Sequence, residues 1–348
     1  MEILKKELYS EYEAFCLDHP NGAFQQSVHW AKVKKDWQQE VVVSRDSEGK
    51  IVGGVAVLIR KIGPFGMMYA NRGPVCDYSD KAVMLDLVEG IKAVAKKHNG
   101  YKFICDPFVL AEDKETVQFF RDCGFSINEN AAFRDTIQPR YNYMLTYIKD
   151  MSEKELLAKF STKTRYYINY GPKHGVVVKE GIQYLDDFYA MYSETGDRKN
   201  FTIRSKAYLE SMLTSFPDNA KLFMCYHEDA ETGVSTPLCG GLSVQYAGRT
   251  SHVYGCSTSV MSKLHATNVL QWAMMKWALA GNCHTYDMQG IATSKEDDEE
   301  LYSVYLFKAK FEGGIVETAG EFTLTFNKFA DKLITLALNV RSNLKHRK

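Results

Sequence analysis

The chain has no charge bias, no paired cysteines, no long apolar run and no leader-like start, and each absence narrows what it can be. Its 348 residues carry 43 basic and 43 acidic side chains, a formal net charge of zero. A protein that grips nucleic acid along a broad face needs a basic excess to meet the phosphates, so any such contact here must be local. The densest basic run, RSNLKHRK at 341–348, reads as a solvated helix end. The eight cysteines include no CxxC pair and sit mostly among apolar neighbours. That argues against a zinc site or a disulfide framework and predicts buried, reduced thiols in a cytoplasmic protein. The longest apolar stretches, around 269–281 and 333–340, are interrupted by polar residues and fall short of the ~20 residues that cross a bilayer. The start, MEILKKELYSEYEAF, is amphipathic and acidic, unlike a secretory leader.

What is present is one pattern written twice. The first copy runs EVVVSRDSEGKIVGGVAVLIR (40–60), a helix pattern near 81–97, the strand YKFICDP (101–107) and FFRDCGF (119–125). The second runs KLFMCYHEDAETGVSTPLCGGLSVQY (221–246), a helix pattern at 264–280, the strand HTYDMQG (284–290) and LFKAKFEGG (306–314). Each copy carries a glycine pair, Gly53-Gly54 and Gly240-Gly241, and an aspartate near the end of the following strand, Asp106 and Asp287. A unit this long is no solenoid repeat; it predicts two homologous mixed α/β domains facing a shared cleft. Ser152 with Glu155 three residues on is a capping-box signal and opens a helix running toward Gly171-Pro172. The second domain is therefore placed at 146–314. Residues 315–348, a strand-like IVETAGEFTLTF and a helix at 327–344, return to complete a discontinuous first domain with 1–145.

Hairpin, helix, strand, helix resembles the GNAT-type acetyltransferase fold, which implies acyl transfer to an amine. A coenzyme A enzyme of that fold uses a glycine-rich turn whose free amides hold the pyrophosphate. The corresponding segments, NRGPVCDYSDKAV (71–83) and GCSTSVMSKLHAT (255–267), lack paired glycines. No cofactor and no metal is therefore expected.

Seven stretches carry a narrower likeness: QSVHWAKVKKDW (26–37), YANRGPV (69–75), KFSTKTRYYINYGPKHGVVVKEG (159–181), FTIRSKAYLESM (201–212), CGGLSVQYAGRTSHVYGCS (239–257), YDMQGI (286–291) and LFKAKFEGG. In this order they resemble the Fem aminoacyltransferases, which move amino acids from aminoacyl-tRNA onto the peptide stem of cell-wall precursors. No heptad-patterned insertion interrupts the second domain, so the chain is similar to the compact members without a coiled-coil arm. The resemblance implies two tandem GNAT-type domains.

Leu301, Val304, Tyr305 and Lys308 share one face of a helix through DDEELYSVYLFKAKF, which puts a lysine on an apolar stripe. Taken alone, Lys308 could be a side chain that covers the core with its stem and reaches water with its ammonium. The resemblance places Phe307-Lys308 on the family's functional Phe-Lys pair, where a fixed cation would stabilise the oxyanion of aminoacyl transfer. Arg204 precedes Ser205, a helix N-cap candidate, with Tyr208 in the first turn, a setting that suits phosphate. Lys34, or its neighbour Lys35, is a further anion candidate, although Lys and Arg are ordinarily surface charges. By similarity Lys34, Arg204, Tyr208, Tyr101 and Tyr254 hold the muramyl nucleotide. Asp106 ends its strand before Pro107, where open α/β sheets present ligands. It could accept a proton from the attacking ammonium or, with a carboxylate's low pKa, orient it. Asp287 reads as structural. His29, His252, His265 and His284 have no nucleophile or metal spacing and receive no catalytic role.

The expectation is a cytoplasmic aminoacyltransferase. It would move Ala, Ser or Gly from aminoacyl-tRNA to the side-chain amine of a muramyl-pentapeptide, either UDP-linked or lipid-linked. The lipid form adds a peripheral membrane contact. The alternatives are a coenzyme A-dependent N-acetyltransferase and a non-catalytic tandem domain that binds tRNA or precursor.

Overall fold

The computed structural model describes residues 1–128, 136–198 and 202–345. Phe201 of the FTIRSKAYLESM stretch and His346–Lys348 of the basic tail lie outside them. The chain builds β1 (Glu2–Ile3), α1 (Tyr9–Asp18), α2 (Trp30–Val33), β2 (Gln38–Arg45), β3 (Ile51–Ile62), β4 (Phe65–Ala70), β5 (Val75–Cys76), α3 (Lys81–His98), β6 (Gly100–Cys105), α4 (Lys114–Asp122) and β7 (Ser126–Ile127). It continues with β8 (Tyr141–Leu145), α5 (Glu153–Lys159), α6 (Thr162–Lys173), β9 (Val176–Glu180), α7 (Leu185–Arg198), α8 (Lys206–Ser215), β10 (Ala220–Glu228), β11 (Ser235–Tyr246), β12 (Arg249–Ser257), α9 (Ala266–Ala280), β13 (Thr285–Gly290), α10 (Glu299–Lys308) and β14 (Gly314–Glu317). It closes with β15 (Phe322–Thr325) and α11 (Lys328–Lys345).

Two compact units result, Met1–Arg140 with Glu317–Lys348, and Tyr141–Val316. The first holds a sheet ordered β1-β2-β3-β4-β6-β15-β7, with β5 on β3; the second a sheet ordered β14-β8-β13-β12-β11-β10-β9. In both, an antiparallel meander meets one parallel strand reached through a helix: α3 leads to β6 beside β4, and α9 leads to β13 beside β12. This is the mixed α/β, GNAT-type arrangement in duplicate. Among the described residues the second unit has no long helix pair.

The duplicated glycines have a packing reason. A Cβ on Gly53 would meet Val83 of α3 at 2.4 Å, and one on Gly54 would meet Tyr12 of α1 at 2.6 Å. In the second unit Gly240 faces Phe188 of α7 at 2.7 Å and Gly241 faces Met274 of α9 at 3.0 Å. Each pair lets a helix close down on either face of the central strand. α3 starts on Asp80, whose carboxylate accepts from Ala82 N and Val83 N, and ends at Asn99 in the left-handed region (φ 51°). Its Val83, Leu87, Ile91 and Val94 form the buried stripe of a helix laid on a sheet.

Three expectations change. Tyr141–Leu145 does not belong with the first unit, because β8 pairs antiparallel with β13, Tyr286 opposite Leu145 and Asp287 opposite Met144. The strand-like IVETAGEFTLTF splits: β14 joins the second sheet, whereas β15 inserts between β6 and β7. There Phe322 lies 4.2 Å from Phe120, inside a cluster with Phe103 and Phe125. The single helix foreseen from 152 toward Pro172 is two. The capping box at Ser152 and Glu155 forms, but buried Phe160 turns extended, and Ser161 caps a second helix by accepting from Thr164 N at 3.2 Å. Core burial of one aromatic ring thus overrides helix continuity.

All eight cysteines are free, and seven of them are buried. No helix among the described residues is long and apolar enough to cross a membrane.

Candidate active site

The second sheet opens where the first does not. β4 and β6 pair in parallel along their whole length, Gly66 opposite Gly100 through Ala70 opposite Cys105. β12 and β13 pair only from Arg249–Thr285 to Ser251–Asp287. From His252 onward β12 stays with β11 alone, so the carbonyls at the end of β13 lose their ladder partners on that side.

Lys308 fills the gap. α10 starts on Asp298, which accepts from Leu301 N at 3.1 Å, carries Glu299 and Glu300 in its first turn, and ends on Lys308, a charge order that suits the helix dipole. The ammonium donates to Gln289 O at 3.1 Å and Gly290 O at 2.8 Å. Lys308 is 8% exposed, so its head is held by the protein and not by bulk water, contrary to the snorkelling geometry. Burial pulls its pKa down to about 8, while the Asp287 charge works against that fall. Asp287 itself accepts from Gln289 N at 2.7 Å and Gln289 Nε2 at 3.0 Å, which holds the end of β13.

A cavity of about 400 Å³ lies against this point, lined among others by Phe307, Lys308, His252, Gly255, Gln271 and Thr195. That size falls within the ~300–1,000 Å³ common for small-molecule sites. Phe307 packs edge-on to Phe311 at 5.5 Å and presents its other side to the cavity. His252 is a wall residue that spacing could not group with Lys308, from which it is 56 positions away in the chain. Gln271 Oε1 accepts from Tyr286 OH at 2.7 Å, so its amide donates to His252 Nδ1 at 3.1 Å and leaves the ring proton on Nε2. Burial and then the Lys308 charge lower His252 to about 4, so the imidazole is neutral at pH 7.

Arg204, Tyr208 and Tyr254 converge, also within the second unit. Ser205 caps α8 by accepting from Tyr208 N at 3.3 Å. The Arg204 guanidinium lies 5.2 Å over the Tyr208 ring with the Tyr254 hydroxyl beside it, and Tyr208 meets Tyr254 edge-on at 6.3 Å. Tyr192, unremarked in the sequence, joins them 6.0 Å from Tyr254. Burial, then Tyr254, hold the Tyr208 phenol well above its usual pKa. One cation is thus set among three tyrosine rings, a grouping chemically able to meet an anion.

The remaining candidates are in the first unit. Asp106 is 2% exposed, accepts from Tyr69 OH and from Arg72 N, each at 2.6 Å, and is raised in pKa by burial against the opposing Arg72 charge. Arg72, itself buried, reaches the Asp106 carbonyl at 3.4 Å and stacks 4.4 Å from Phe108. Both carboxylate oxygens are therefore engaged in holding the loop after β4. Lys34 follows α2, half-buried, its ammonium 5.0 Å over the Trp30 ring, while Lys35 is exposed. Tyr101, the second residue of β6, is 2% exposed and edge-on to Phe65 at 6.5 Å. It stands about 17 Å along the strand from Asp106 and offers no surface to a ligand as the chain stands.

Comparison with known proteins identifies the family and the fold. The FemAB family model matches residues 8–231 and 226–338. The UDP-N-acetylmuramoylpentapeptide-lysine N(6)-alanyltransferase of Weissella viridescens is 30% identical over 309 residues, covering 86% of this chain and 88% of that protein. The lipid II:glycine glycyltransferase of Staphylococcus haemolyticus is 27% identical, with 93% of each covered. Among solved structures, FemX superposes with a TM-score of 0.88 at 23% identity over 96% of this chain and all of that one. A tandem GNAT protein from the clavulanic acid biosynthesis pathway gives 0.54 at 9% identity over 93% and 97%. Both structures bear on the fold.

Proposed function

The chain belongs to the FemAB family, and from that premise we propose that it is a cytoplasmic aminoacyltransferase. It moves a small amino acid, Ala, Ser or Gly, from aminoacyl-tRNA to the stem-peptide side-chain amine of a muramyl-pentapeptide precursor. The observation that carries this reading is the buried Lys308 ammonium, which lies beside Phe307 on the wall of a cavity at the open end of β13.

In the reaction the acceptor ammonium first loses a proton to solvent water, and the free amine adds to the ester carbonyl. The tetrahedral intermediate carries a negative oxygen, which Lys308 stabilises through its fixed charge. Collapse breaks the ester bond, and the second amine proton ends on the departing ribose oxygen. No covalent enzyme intermediate is needed; proximity and charge supply the rate. Arg204, Tyr208 and Tyr254 hold the acceptor's phosphates. Lys34 and Tyr101, in the first unit, are assigned to the acceptor by family resemblance alone, and Tyr101 is covered where it stands. Asp106, with both oxygens engaged, positions the loop it holds and does not act as a base.

The tRNA donor draws support from α6. Tyr167 stacks on His265 at 3.6 Å, Tyr170 stacks on His174 at 3.8 Å, and Tyr166 is 57% exposed. Lys163 lies 5.8 Å over Tyr167, and burial first, then Lys310 and Lys163, lower the His265 pKa. Aromatic rings interleaved with cations form a local platform for unpaired bases, as an overall neutral chain requires.

The test is to incubate the protein with each of the three charged tRNAs and with the UDP-linked or lipid-linked precursor, and to read product masses. A branched product names donor and acceptor together. Acetylation from acetyl-coenzyme A instead would move the protein to N-acetyltransfer, and binding without product would leave a non-catalytic domain.

A further inference from the structure

The last helix carries an apolar stripe that its own unit does not use. α11 is tied down at its first turn: Ala330 is fully buried and Asp331 pairs with Lys102 at 2.7 Å, while Ala330 N donates to the preceding Asn327 Oδ1 at 3.0 Å. The opposite side holds Phe329, Leu333 and Leu336, spaced i, i+4, i+7, at 74, 52 and 64% exposure. Isolated apolar side chains at a surface are ordinary. Three aligned on one helix face mark a contact.

The charges beside the stripe point to the partner. Beside the described part of the stripe the sequence holds Lys328 and Lys332 against Asp331 alone, and Lys102 already pairs with Asp331. Lys328 and Lys332 fall just to one side of Phe329 on the helix wheel, at the rim of the apolar face. An amphipathic helix with cations bordering its apolar stripe matches an anionic lipid surface, where the stripe enters the acyl boundary and the cations meet headgroup phosphates. A second copy of the chain would bring like charges together along the seam. The helix is too polar to span a bilayer.

We propose that α11 docks this protein on an anionic bilayer, lying in the interface through Phe329, Leu333 and Leu336. The purpose, access to a lipid-linked precursor, rests on the function proposed above; the contact itself does not.

The experiment is flotation of the full chain with vesicles of phosphatidylcholine, alone or with about one-third phosphatidylglycerol. Anionic vesicles should bind at least ~10-fold more protein than neutral ones, and added salt should weaken binding. The triple variant Phe329→Ser, Leu333→Ser, Leu336→Ser should lose ~10-fold or more of that binding at an unchanged melting temperature. The double variant Lys328→Glu, Lys332→Glu, which leaves the apolar face intact, should lose the preference for anionic lipid. Equal flotation of parent and both variants, or no flotation of the parent, would overturn the proposal. So would a parent dimer in light scattering that the triple variant dissolves, since the occupant would then be a second copy. Transfer to the soluble UDP-linked acceptor should be the same in parent and triple variant. If neither transfers but the parent floats, the transferase reading fails and the docking stands.

Discussion

Replacing Lys308 with Met separates charge from packing, because Met keeps most of the apolar stem and deletes the ammonium. Two effects on stability oppose each other. Holding the lysine pKa near 8 instead of 10.5 means the folded state disfavours the buried cation by about 3 kcal/mol at neutral pH, which the variant recovers. Against this, the Gln289 and Gly290 carbonyls lose their donor, at about 1–3 kcal/mol for each one left unsatisfied. The variant should therefore melt close to the parent, while transfer falls by ~10²–10³-fold, the usual loss for one oxyanion donor. The sign of the pH dependence follows from the lowered pKa. Between about 8 and 10.5 the unfolded parent binds more protons than the folded one, so parent stability rises with pH across that window, and the variant lacks the rise. Denaturant titrations of both proteins at about pH 7 and pH 10 measure it. In parallel, the transfer rate of the parent should rise with pH as the acceptor amine is freed and level off above about 8, where the Lys308 ammonium is lost. A variant that transfers at near the parent rate would refute the catalytic role and leave Lys308 as a clasp for the end of β13.

Three further outcomes are expected. Arg204→Ala should weaken binding of the UDP-linked precursor in calorimetry without lowering the melting temperature, and Arg204→Lys should recover only a fraction of it, since the planar fork over Tyr208 is lost. Gly240→Ala should destabilise the second unit by ~1–3 kcal/mol, because the new Cβ would sit 2.4 Å from Met224 Sδ and 2.7 Å from Phe188. Ending the chain after Val316 should expose apolar surface to a hydrophobic dye and lower the melting temperature, because β15 lies between β6 and β7 with Phe322 in the aromatic cluster. A truncated protein that melts like the parent would contradict that role for β15.

The features legible in the sequence are those set by local rules. The glycine pairs mark where helices press on a strand, the Ser152–Glu155 box starts a helix, and the 301, 304, 305, 308 spacing puts Lys308 inward. What was hidden depends on distant partners. Tyr141–Leu145 looks the same whichever sheet it joins, and only the free edge of β13 decides. Nothing near Phe160 signals that its ring belongs in a core with Trp272 and Phe311, which breaks the helix there. His252 and Tyr192 reach their sites through β12 and α7, elements whose patterns report only burial, and Tyr101 is covered by a packing that family resemblance does not convey.

The two units share a fold, yet they treat the same point in it differently, and that difference supports the placement of the chemistry proposed above. In the first unit the parallel strand β6 stays paired to its end, and the following aspartate is clamped by Tyr69 and the Arg72 loop, so its polar groups are spent on structure. In the second unit the equivalent aspartate, Asp287, holds Gln289, the strands diverge immediately after it, and a lysine from α10 takes the freed carbonyls. Burying that cation lowers its pKa and costs stability, and an apolar residue would spare the protein the penalty. A chain selected for stability alone would close β13 as it closes β6. Opening the sheet, leaving a cavity there and placing one buried positive charge on its wall is the arrangement expected where negative charge must appear for a moment during reaction.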